Sequence, residues 1–301
     1  MSSSFLNVDG TIVTNLYENN ETGGHCSILR GKIHLIGCFE ESVILKKYNP
    51  EFSYEALNEM RMAKKSLNHE NILSYRCFSG PVDGFYFFVV PFYEVGLNTL
   101  LYQNHKIQPL KYAIELLSAI SHMHKNKVVH RDLKPDNVRV HRGRVKLIDF
   151  SLCGVDGVST FKTFEPHNMW YRAPEWFLKS EIPKVQTFNA LAKADLWAAG
   201  MVIVEFDLRK PVCAGAEKNM IRFFEHLFFK CKQALPHELL SAQSAQSAQS
   251  AQAPKVETPS ESDYTNVYET LVVSNKSLPP KLVNSLLQPV PSRRNITISV
   301  L

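Results

Sequence analysis

The chain has 301 residues, 45% of them hydrophobic, and a net charge of +5, so it can bury a substantial core and is not a disordered tail. Its longest apolar run, Phe85 to Phe92, is much shorter than the roughly 18–20 residues of a membrane span, and its N-terminus lacks the basic flank and apolar stretch of a secretory signal. We therefore expect a cytoplasmic or nuclear protein that binds no membrane, and no nucleic acid either, because its mild charge forms no basic stripe with interleaved aromatic residues.

The first ninety residues alternate strand-like runs with turn signals and contain one helical pattern. Runs rich in β-branched and aromatic residues predict strands, and apolar residues at three- and four-residue spacing, such as Ala56, Met60 and Ala63, predict a helix. The predicted strands span residues 33–39, 42–47, 72–79 and 85–91, and the predicted helix spans residues 52–67.

From residue 109 onward the pattern is mainly helical, with apolar residues at three- and four-residue intervals. A small β-rich part followed by a larger helical part predicts a two-lobed α+β fold, with the lobes over residues 1–92 and 93–301 and a cleft near residues 91–97. The predicted helices of the second lobe span residues 109–126, 193–206 and 220–231.

A low-complexity segment interrupts the second lobe. Residues 241–252 are four perfect Ser-Ala-Gln repeats, which offer almost nothing large to bury and cannot offset the entropy lost on ordering. We expect a flexible insertion over about residues 241–263. A continuous Ala- and Gln-rich helix is the alternative, and serine at every third position disfavours it.

Four polar residues have the types that phosphoryl transfer requires. Asp132 can accept the proton of an incoming hydroxyl group, and Lys134 can meet the transferring phosphoryl group as a point charge. Asn137 and Asp149 supply the hard oxygen ligands that magnesium prefers. The residues belong to an ordered set of motifs: His130-Arg131-Asp132-Leu133-Lys134-Pro135-Asp136-Asn137, then Asp149-Phe150, then Ala173-Pro174-Glu175.

This order and spacing resemble the eukaryotic-type serine/threonine protein kinase family, from about residue 16 to the end. The resemblance implies that the chain transfers the γ-phosphoryl group of ATP to hydroxyls of a protein substrate, with ATP and magnesium as cofactors and an unidentified regulatory protein as a further partner. Lys134 marks the serine/threonine-type loop. The activation segment is most similar to cyclin-dependent and mitogen-activated kinases, in which an activating phosphothreonine stands where Thr163 does. The compact first lobe and the perfect repeat would suit a divergent or virus-encoded member.

The resemblance also assigns nucleotide-binding residues. Lys46 is the expected partner of the α- and β-phosphates, and a glutamate of the next helix should hold it. Glu55 and Glu59 lie one turn apart on one face, and Glu59 is preferred because Glu55 leaves too few residues after Lys46 for a strand end and a loop. The other expected contacts are Gly23, Gly24 and Ile28 of the covering loop, the carbonyl of Pro91 and the backbone N–H of Tyr93.

Departures from the family pattern support an alternative, a pseudokinase that binds or scaffolds other proteins. Glu21 and Cys26 stand at two of the three glycine positions of the covering loop, Ile44 replaces a small alanine, Ser151 replaces the glycine of D-F-G, and Asn168 replaces a threonine. A third class, the small-molecule phosphotransferases, is disfavoured by the A-P-E motif and the long activation segment, which present a protein substrate.

Two further residues have expected structural roles by the same resemblance. Asp195 should support the loop around Asp132 from below, and Arg294 should form a buried ion pair with Glu175. Neither role is chemical.

Overall fold

The computed structural model of the chain shows two compact units, one rich in strands and one mainly helical. The β-rich unit comprises residues 1–95 and 139–153, and the helical unit comprises residues 96–138 and 154–301. The structure describes residues 5–18, 26–35, 39–65, 67–103, 105–157, 168–177, 187–212, 277–288 and 294–296. Gly23, Gly24, Thr163, the predicted helix over residues 220–231 and the repeat segment at about 241–263 therefore lie outside the described residues.

The β-rich unit is built on one six-stranded antiparallel sheet. Its strand order is β1-β2-β3-β4-β6-β5, so that β4 lies inside the sheet between β3 and β6. Val13, Ile33, Val43 and Val89 point to one face and form a fully buried cluster there. The strands are β1 (Leu6–Val8), β2 (Thr11–Glu18), β3 (Cys26–Leu35), β4 (Phe39–Tyr48), β5 (Cys77–Val82) and β6 (Phe85–Pro91).

Helix α1 spans Ser53–Lys65 and follows a single 3-10 turn at Pro50–Phe52. Proline suits the first position of such a turn because its missing N–H would have no partner there. Among the buried residues of α1 are Glu55 and Glu59, one turn apart. A second core cluster lies beside the helix, and its aromatic members are Tyr48, Tyr86 and Phe88.

Strands β9 (Val138–His141) and β10 (Arg144–Leu147) form a hairpin that belongs mainly to the β-rich unit. Leu147 accepts a hydrogen bond from Leu73 N at 2.9 Å and donates one to Asn71 O at 2.8 Å. The Asn71 side chain donates to Val145 O at 2.9 Å. These long-range bonds explain why residues 139–153 group with the β-rich unit, whereas the sequence suggested two contiguous lobes that divide after residue 92.

The helical unit is organised around α5 (Phe188–Leu208), whose central residues are buried on all sides. A helix that is apolar all round is typical of the middle of a domain. Gly200 allows a close approach of the last helix, since an added Cβ there would lie 2.7 Å from a methyl group of Leu287. The other elements are β7 (Val95–Gly96), α2 (Leu97–Tyr102), α3 (Pro109–Lys125), β8 (Val128–Val129), β11 (Gly154–Val155), α4 (Pro174–Phe177) and α6 (Pro280–Leu286).

Several predicted elements have other bounds than expected. The strand predicted over residues 33–39 covers only the end of β3, which begins at Cys26, and the strand predicted over residues 42–47 is part of β4, which begins at Phe39. The strand predicted over residues 72–79 begins at Cys77, because Ile72 and Leu73 at the start of the predicted range pair with Leu147. The helix predicted over residues 193–206 begins at Phe188, where the Thr187 hydroxyl accepts a hydrogen bond from Ala190 N as an N-cap. Among the described helices, none combines the length and the apolar character that crossing a membrane would require.

Candidate active site

The β-rich unit holds a buried ion pair between β4 and α1. Lys46 Nζ lies 2.6 Å from Glu59 Oε2, and the Glu59 side chain is fully buried. The register of the sheet places Lys46 opposite Ile28 on β3 and Phe88 on β6. The structure thus pairs Lys46 with Glu59, the residue preferred over Glu55 from the sequence.

Lys46 also contacts Asp149, which follows β10. Its Nζ lies 3.3 Å from Asp149 Oδ1, and about a third of the Asp149 side chain is exposed, at 35%. Burial alone would lower the pKa of Lys46, but the carboxylates of Asp149 and Glu59 outweigh burial and hold that pKa well above its ordinary value. Lys46 is therefore a permanent cation between two carboxylates.

Two tyrosine hydroxyls complete the surroundings of Glu59. Tyr48 Oη donates a hydrogen bond to Glu59 Oε2, the oxygen that also accepts from Lys46. Tyr75 Oη donates to the other oxygen, Oε1, at 3.3 Å. Burial, together with the negative charge of Glu59, raises the pKa of both tyrosines well above the ordinary value, so both remain neutral donors.

A second set of contacts ties α1 to the segment after Asp149. The Asn58 side chain donates to Ser151 O at 3.1 Å, and Ser151 N donates to Asp149 Oδ1 at 3.4 Å. Phe150, between them, is completely buried. Asp149 has a left-handed backbone, with φ of 63°, a conformation that persists where surrounding contacts enforce it.

The residues expected around the adenine lie at the end of β6 and on β3. Pro91 is the last residue of β6 and pairs with Val43, and the next residue, Phe92, donates its N–H to Ser42 O at 2.9 Å. Tyr93 is buried, with its ring centroid 5.5 Å from that of His141. Ile28 lies inside β3.

The helical unit holds the second set of predicted residues in a tight loop. Asn137 Nδ2 donates to the Asp132 backbone carbonyl at 2.7 Å and to Asp132 Oδ2 at 2.9 Å. Lys134 Nζ donates to the same carboxylate oxygen at 2.8 Å. Asp132 thereby has its carboxylate oriented by two neighbours, and the amide of Asn137 keeps its oxygen as the atom that can ligate a cation.

Asp195 on α5 supports this loop from within the same unit. It accepts hydrogen bonds from His130 N at 2.9 Å and from Arg131 N at 3.0 Å, and it lies 2.9 Å from His124 Nε2. The carboxylate is almost fully buried. A charged acceptor that holds consecutive backbone N–H groups fixes the loop more firmly than a neutral one would.

The expected ion pair between Arg294 and Glu175 is present. Arg294 is completely buried and binds Glu175 with two N–H groups, at 2.5 Å and 2.6 Å. It also donates to Gln288 O at 2.6 Å and stands over the Trp197 ring, 5.0 Å from its centroid. A two-pronged arginine–carboxylate pair gives both energy and direction, so it anchors the end of the activation segment.

The described residues contain no cluster of three or more His, Cys, Asp or Glu side chains that could hold a metal by itself. A magnesium site does not need such a cluster, since magnesium is usually bound by one or two protein oxygens together with substrate phosphates. Asp149 offers such an oxygen in the β-rich unit, and Asn137 offers one in the helical unit.

Sequence reasoning missed three residues of this site. Tyr48 stands two residues after Lys46 on one strand, so the two side chains share a face, a signal that the sequence did contain. Tyr75 contacts Glu59, and Asn58 contacts Ser151, only because segments distant in the sequence pack together. No local sequence pattern predicts such contacts.

Comparison with known proteins places these features in context. The chain is 32% identical over 192 residues to cyclin-dependent kinase 11.1 of Caenorhabditis elegans, an alignment that covers 58% of this chain and 26% of that protein. It is 28% identical over 204 residues to the sporulation-specific mitogen-activated protein kinase SMK1 of Saccharomyces cerevisiae, covering 62% and 48%. The chain thus spans about a quarter to a half of the length of these curated relatives.

Solved structures show the same fold. The CAK complex from Chaetomium thermophilum bound to ATP-gamma-S contains a chain that matches with a TM-score of 0.66 at 20% identity, over 93% of this chain and 86% of that one. The yeast RNA Pol II CTD kinase CTDK-1 complex contains another, with a TM-score of 0.65 at 19% identity, over 95% and 90%.

The family itself is shown by a model of the protein kinase domain, which matches residues 31–299. The two-unit fold with its β-rich first part agrees with that match. The chain belongs to the protein kinase domain family.

Proposed function

We propose that the chain is a serine/threonine protein kinase that transfers the γ-phosphoryl group of ATP to hydroxyl groups of a protein substrate. The observation that carries the proposal is the loop in which Lys134 and Asn137 both bind the Asp132 carboxylate. Phosphoryl transfer asks the protein mainly to position groups and to neutralise charge. A carboxylate oriented in this way suits a base that aligns an attacking hydroxyl, and a neighbouring lysine suits the transferring phosphoryl group.

Nucleotide binding is assigned to residues of both units. Lys46, held by Glu59, would bind the α- and β-phosphates of ATP, since its positive charge persists at any physiological pH. Asp149 and Asn137 would hold magnesium through their oxygens, and the metal when bound neutralises phosphate charge. The fit rests on donor chemistry: Asp149 is partly exposed, and the Asn137 nitrogen is already committed to Asp132.

The adenine contacts are assigned to backbone atoms near the end of β6. Pro91 would offer its carbonyl oxygen and Tyr93 its N–H, an arrangement compatible with proline because only the carbonyl is required at that position. Ile28 would cover the nucleotide from β3, next to Gly23 and Gly24.

A regulatory protein partner is part of the proposal. Three relatives are named as cyclin-dependent kinases, and the two solved structures described above are of complexes. Because ATP is an intracellular nucleotide, we place the activity in the cytoplasm or the nucleus.

The test compares Asp132→Asn with a matched control, Asp136→Asn, in a radiolabelled-ATP transfer assay with basic and acidic protein substrates. Asp136 lies in the same loop, is exposed, and accepts a hydrogen bond from Asn98 at 2.7 Å. Loss of a general base lowers turnover by on the order of a hundredfold or more, so Asp132→Asn should fall by that factor with MgATP affinity close to wild type. Asp136→Asn should keep nearly full turnover.

The pseudokinase alternative makes the opposite prediction. Its support is the loss of two glycines from the covering loop, together with Ile44, Ser151 and Asn168. Absence of transfer by the wild type on every substrate, with MgATP binding retained, would favour it. A fully active Asp132→Asn enzyme would instead remove the proposed base.

A further inference from the structure

Glu59 is a completely buried carboxylate with three hydrogen-bond donors around it, only one of which is charged. Lys46 and Tyr48 both donate to Oε2, and Tyr75 donates to Oε1. We propose that Tyr48 and Tyr75 are positioning residues, whose hydroxyls hold the Glu59 carboxylate in the orientation that keeps Lys46 in place to bind phosphate. The proposal rests on the proposed role of Lys46 in nucleotide binding.

The physical need for the hydroxyls follows from burial. An ionised carboxylate has about four lone-pair sites, and leaving them empty in a dry interior is costly. The Lys46 ammonium group serves one oxygen of Glu59 and also reaches Asp149 Oδ1. Without further donors the carboxylate could rotate or swing to find partners, and the lysine would move with it.

Neutral donors are the type that the site requires. A second cation beside Glu59 would compete with Lys46 for the carboxylate and would add charge to a buried place. The two tyrosine hydroxyls fill two of the remaining lone-pair sites and leave the pairing of charges unchanged. The raised pKa of both tyrosines keeps them protonated, so they donate throughout the physiological range.

Packing within the β-rich unit holds the rings of Tyr48 and Tyr75 in place. Lys46 and Tyr48 lie two residues apart on β4, which puts both side chains on one face of an inner strand. The completely buried Phe88 ring meets Tyr48 edge-on, with centroids 5.7 Å apart, and packs against Tyr75 at 6.0 Å. Packed rings have little freedom to turn, so their hydroxyls are aimed at Glu59 at little entropic cost.

The two hydroxyls should differ in importance. Tyr48 donates to the same oxygen that accepts from Lys46, whereas Tyr75 donates to the opposite oxygen at 3.3 Å. Hydrogen bonds to charged groups are among the stronger ones in proteins. We expect Tyr48→Phe to weaken MgATP affinity by about tenfold or more, and Tyr75→Phe by a few-fold.

The experiment measures the MgATP Kd by equilibrium binding, the KM for ATP and kcat for Tyr48→Phe, Tyr75→Phe and a control, Tyr86→Phe. Tyr86 is buried in the same core cluster as Tyr48 but makes no described contact with Glu59. Its variant removes a tyrosine hydroxyl from the same cluster without touching the pair, and its affinity should stay within twofold of wild type. The Tm of each variant shows whether it is folded.

A double-mutant cycle separates positioning from general stability. If Tyr48 acts through Glu59, adding Tyr48→Phe to Glu59→Gln should change affinity less than twofold, because the charge that the hydroxyl orients is already gone. An undiminished effect in that background, or no effect of Tyr48→Phe in the wild type, would overturn the proposal. If Tyr48→Phe does not fold, Tyr75→Phe enters the same cycle and decides it.

The affinity measurement also keeps this proposal distinct from the proposed function. A chain that binds MgATP but transfers no phosphoryl group still shows the loss of affinity in Tyr48→Phe. If turnover depends on Asp132 but neither Tyr48→Phe nor Tyr75→Phe changes the MgATP affinity, the kinase assignment stands and the positioning role of the tyrosines is wrong.

Discussion

Glu205 is a buried carboxyl group whose surroundings change its acidity. It accepts hydrogen bonds from Tyr102 Oη at 2.6 Å, Tyr171 Oη at 3.2 Å and Val212 N at 2.9 Å. Burial raises the pKa of Glu205 to about 7, although the three hydrogen bonds act in the opposite direction, and the nearby Asp136 adds to the rise. The protein thus carries, in α5, a carboxyl group that titrates near neutral pH.

The sign of the pH effect follows from linkage. A carboxyl group whose pKa is higher in the folded state contributes stability that is complete below its unfolded pKa, near 4.5, and is lost as the pH rises through about 7. The free energy of unfolding should fall by about 3 kcal/mol from this group between about pH 4 and about pH 8. Urea unfolding at several pH values measures it.

The matched control for this prediction is Glu205→Gln. Glutamine keeps the shape and an acceptor oxygen for Tyr102 but does not titrate. The free energy of unfolding of the wild type should therefore fall relative to that of the variant as the pH rises. An equal difference at every pH would show that Glu205 does not titrate in this range.

At the residue scale, the sequence predicted which residues have the required chemical groups better than it predicted which side chains contact each other. Asp132, Lys134 and Asn137 were identifiable because their chemical types stand at short, fixed spacing, and the structure brings them together in one loop. Glu59 could be preferred over Glu55 because Glu55 leaves too few residues after Lys46 for a strand end and a loop. Tyr75 could not be found, because its contact with Glu59 depends on how distant segments pack.

At the element scale, prediction succeeded where periodicity is strong and failed where partners are distant. Strand β6, Phe85–Pro91, and helix α3, Pro109–Lys125, lie close to their predicted bounds because their apolar patterns are regular. Strand β2 was not predicted individually: its register shifts between Thr14 and Tyr17, with Asn15 at a positive φ of 53°, and this irregularity breaks the alternation.

The contact between α4 and the C-terminal segment is the clearest case of two elements held by one ion pair. Removing one partner of a buried pair leaves an uncompensated charge and costs about 3–5 kcal/mol. Glu175→Ala and Arg294→Ala should therefore each destabilise the helical unit strongly in denaturant unfolding. Arg294→Ala should cost more, because Arg294 also donates to Gln288 O and packs over Trp197.

The pairing itself is measured by the double mutant. If Glu175 and Arg294 stabilise chiefly each other, the loss in the double mutant should be clearly smaller than the sum of the single losses. Strictly additive losses would show that each residue acts through other partners.

At the scale of the whole molecule, the residues assigned to the cofactors are divided between the two units. Lys46, Glu59 and Asp149 belong to the β-rich unit, and Asp132 and Asn137 belong to the helical unit. No local pattern in the sequence indicates that residues 139–153, and with them Asp149, group with the first unit, because the bonds from Asn71 and Leu73 that hold them span more than seventy residues.

Magnesium should decide how strongly ATP stabilises the folded chain. A ligand stabilises only the state that binds it, by about 2.7 kcal/mol at a hundred times its Kd. If Asp149 and Asn137 hold magnesium as proposed, ATP should therefore raise the Tm much more with magnesium than with EDTA. Asp149→Asn should lose most of the magnesium-dependent increase, whereas the exposed Asp156→Asn should keep it. Equal shifts with magnesium and EDTA would mean that Lys46 and its neighbours bind ATP without the metal, and would remove the magnesium roles of both residues.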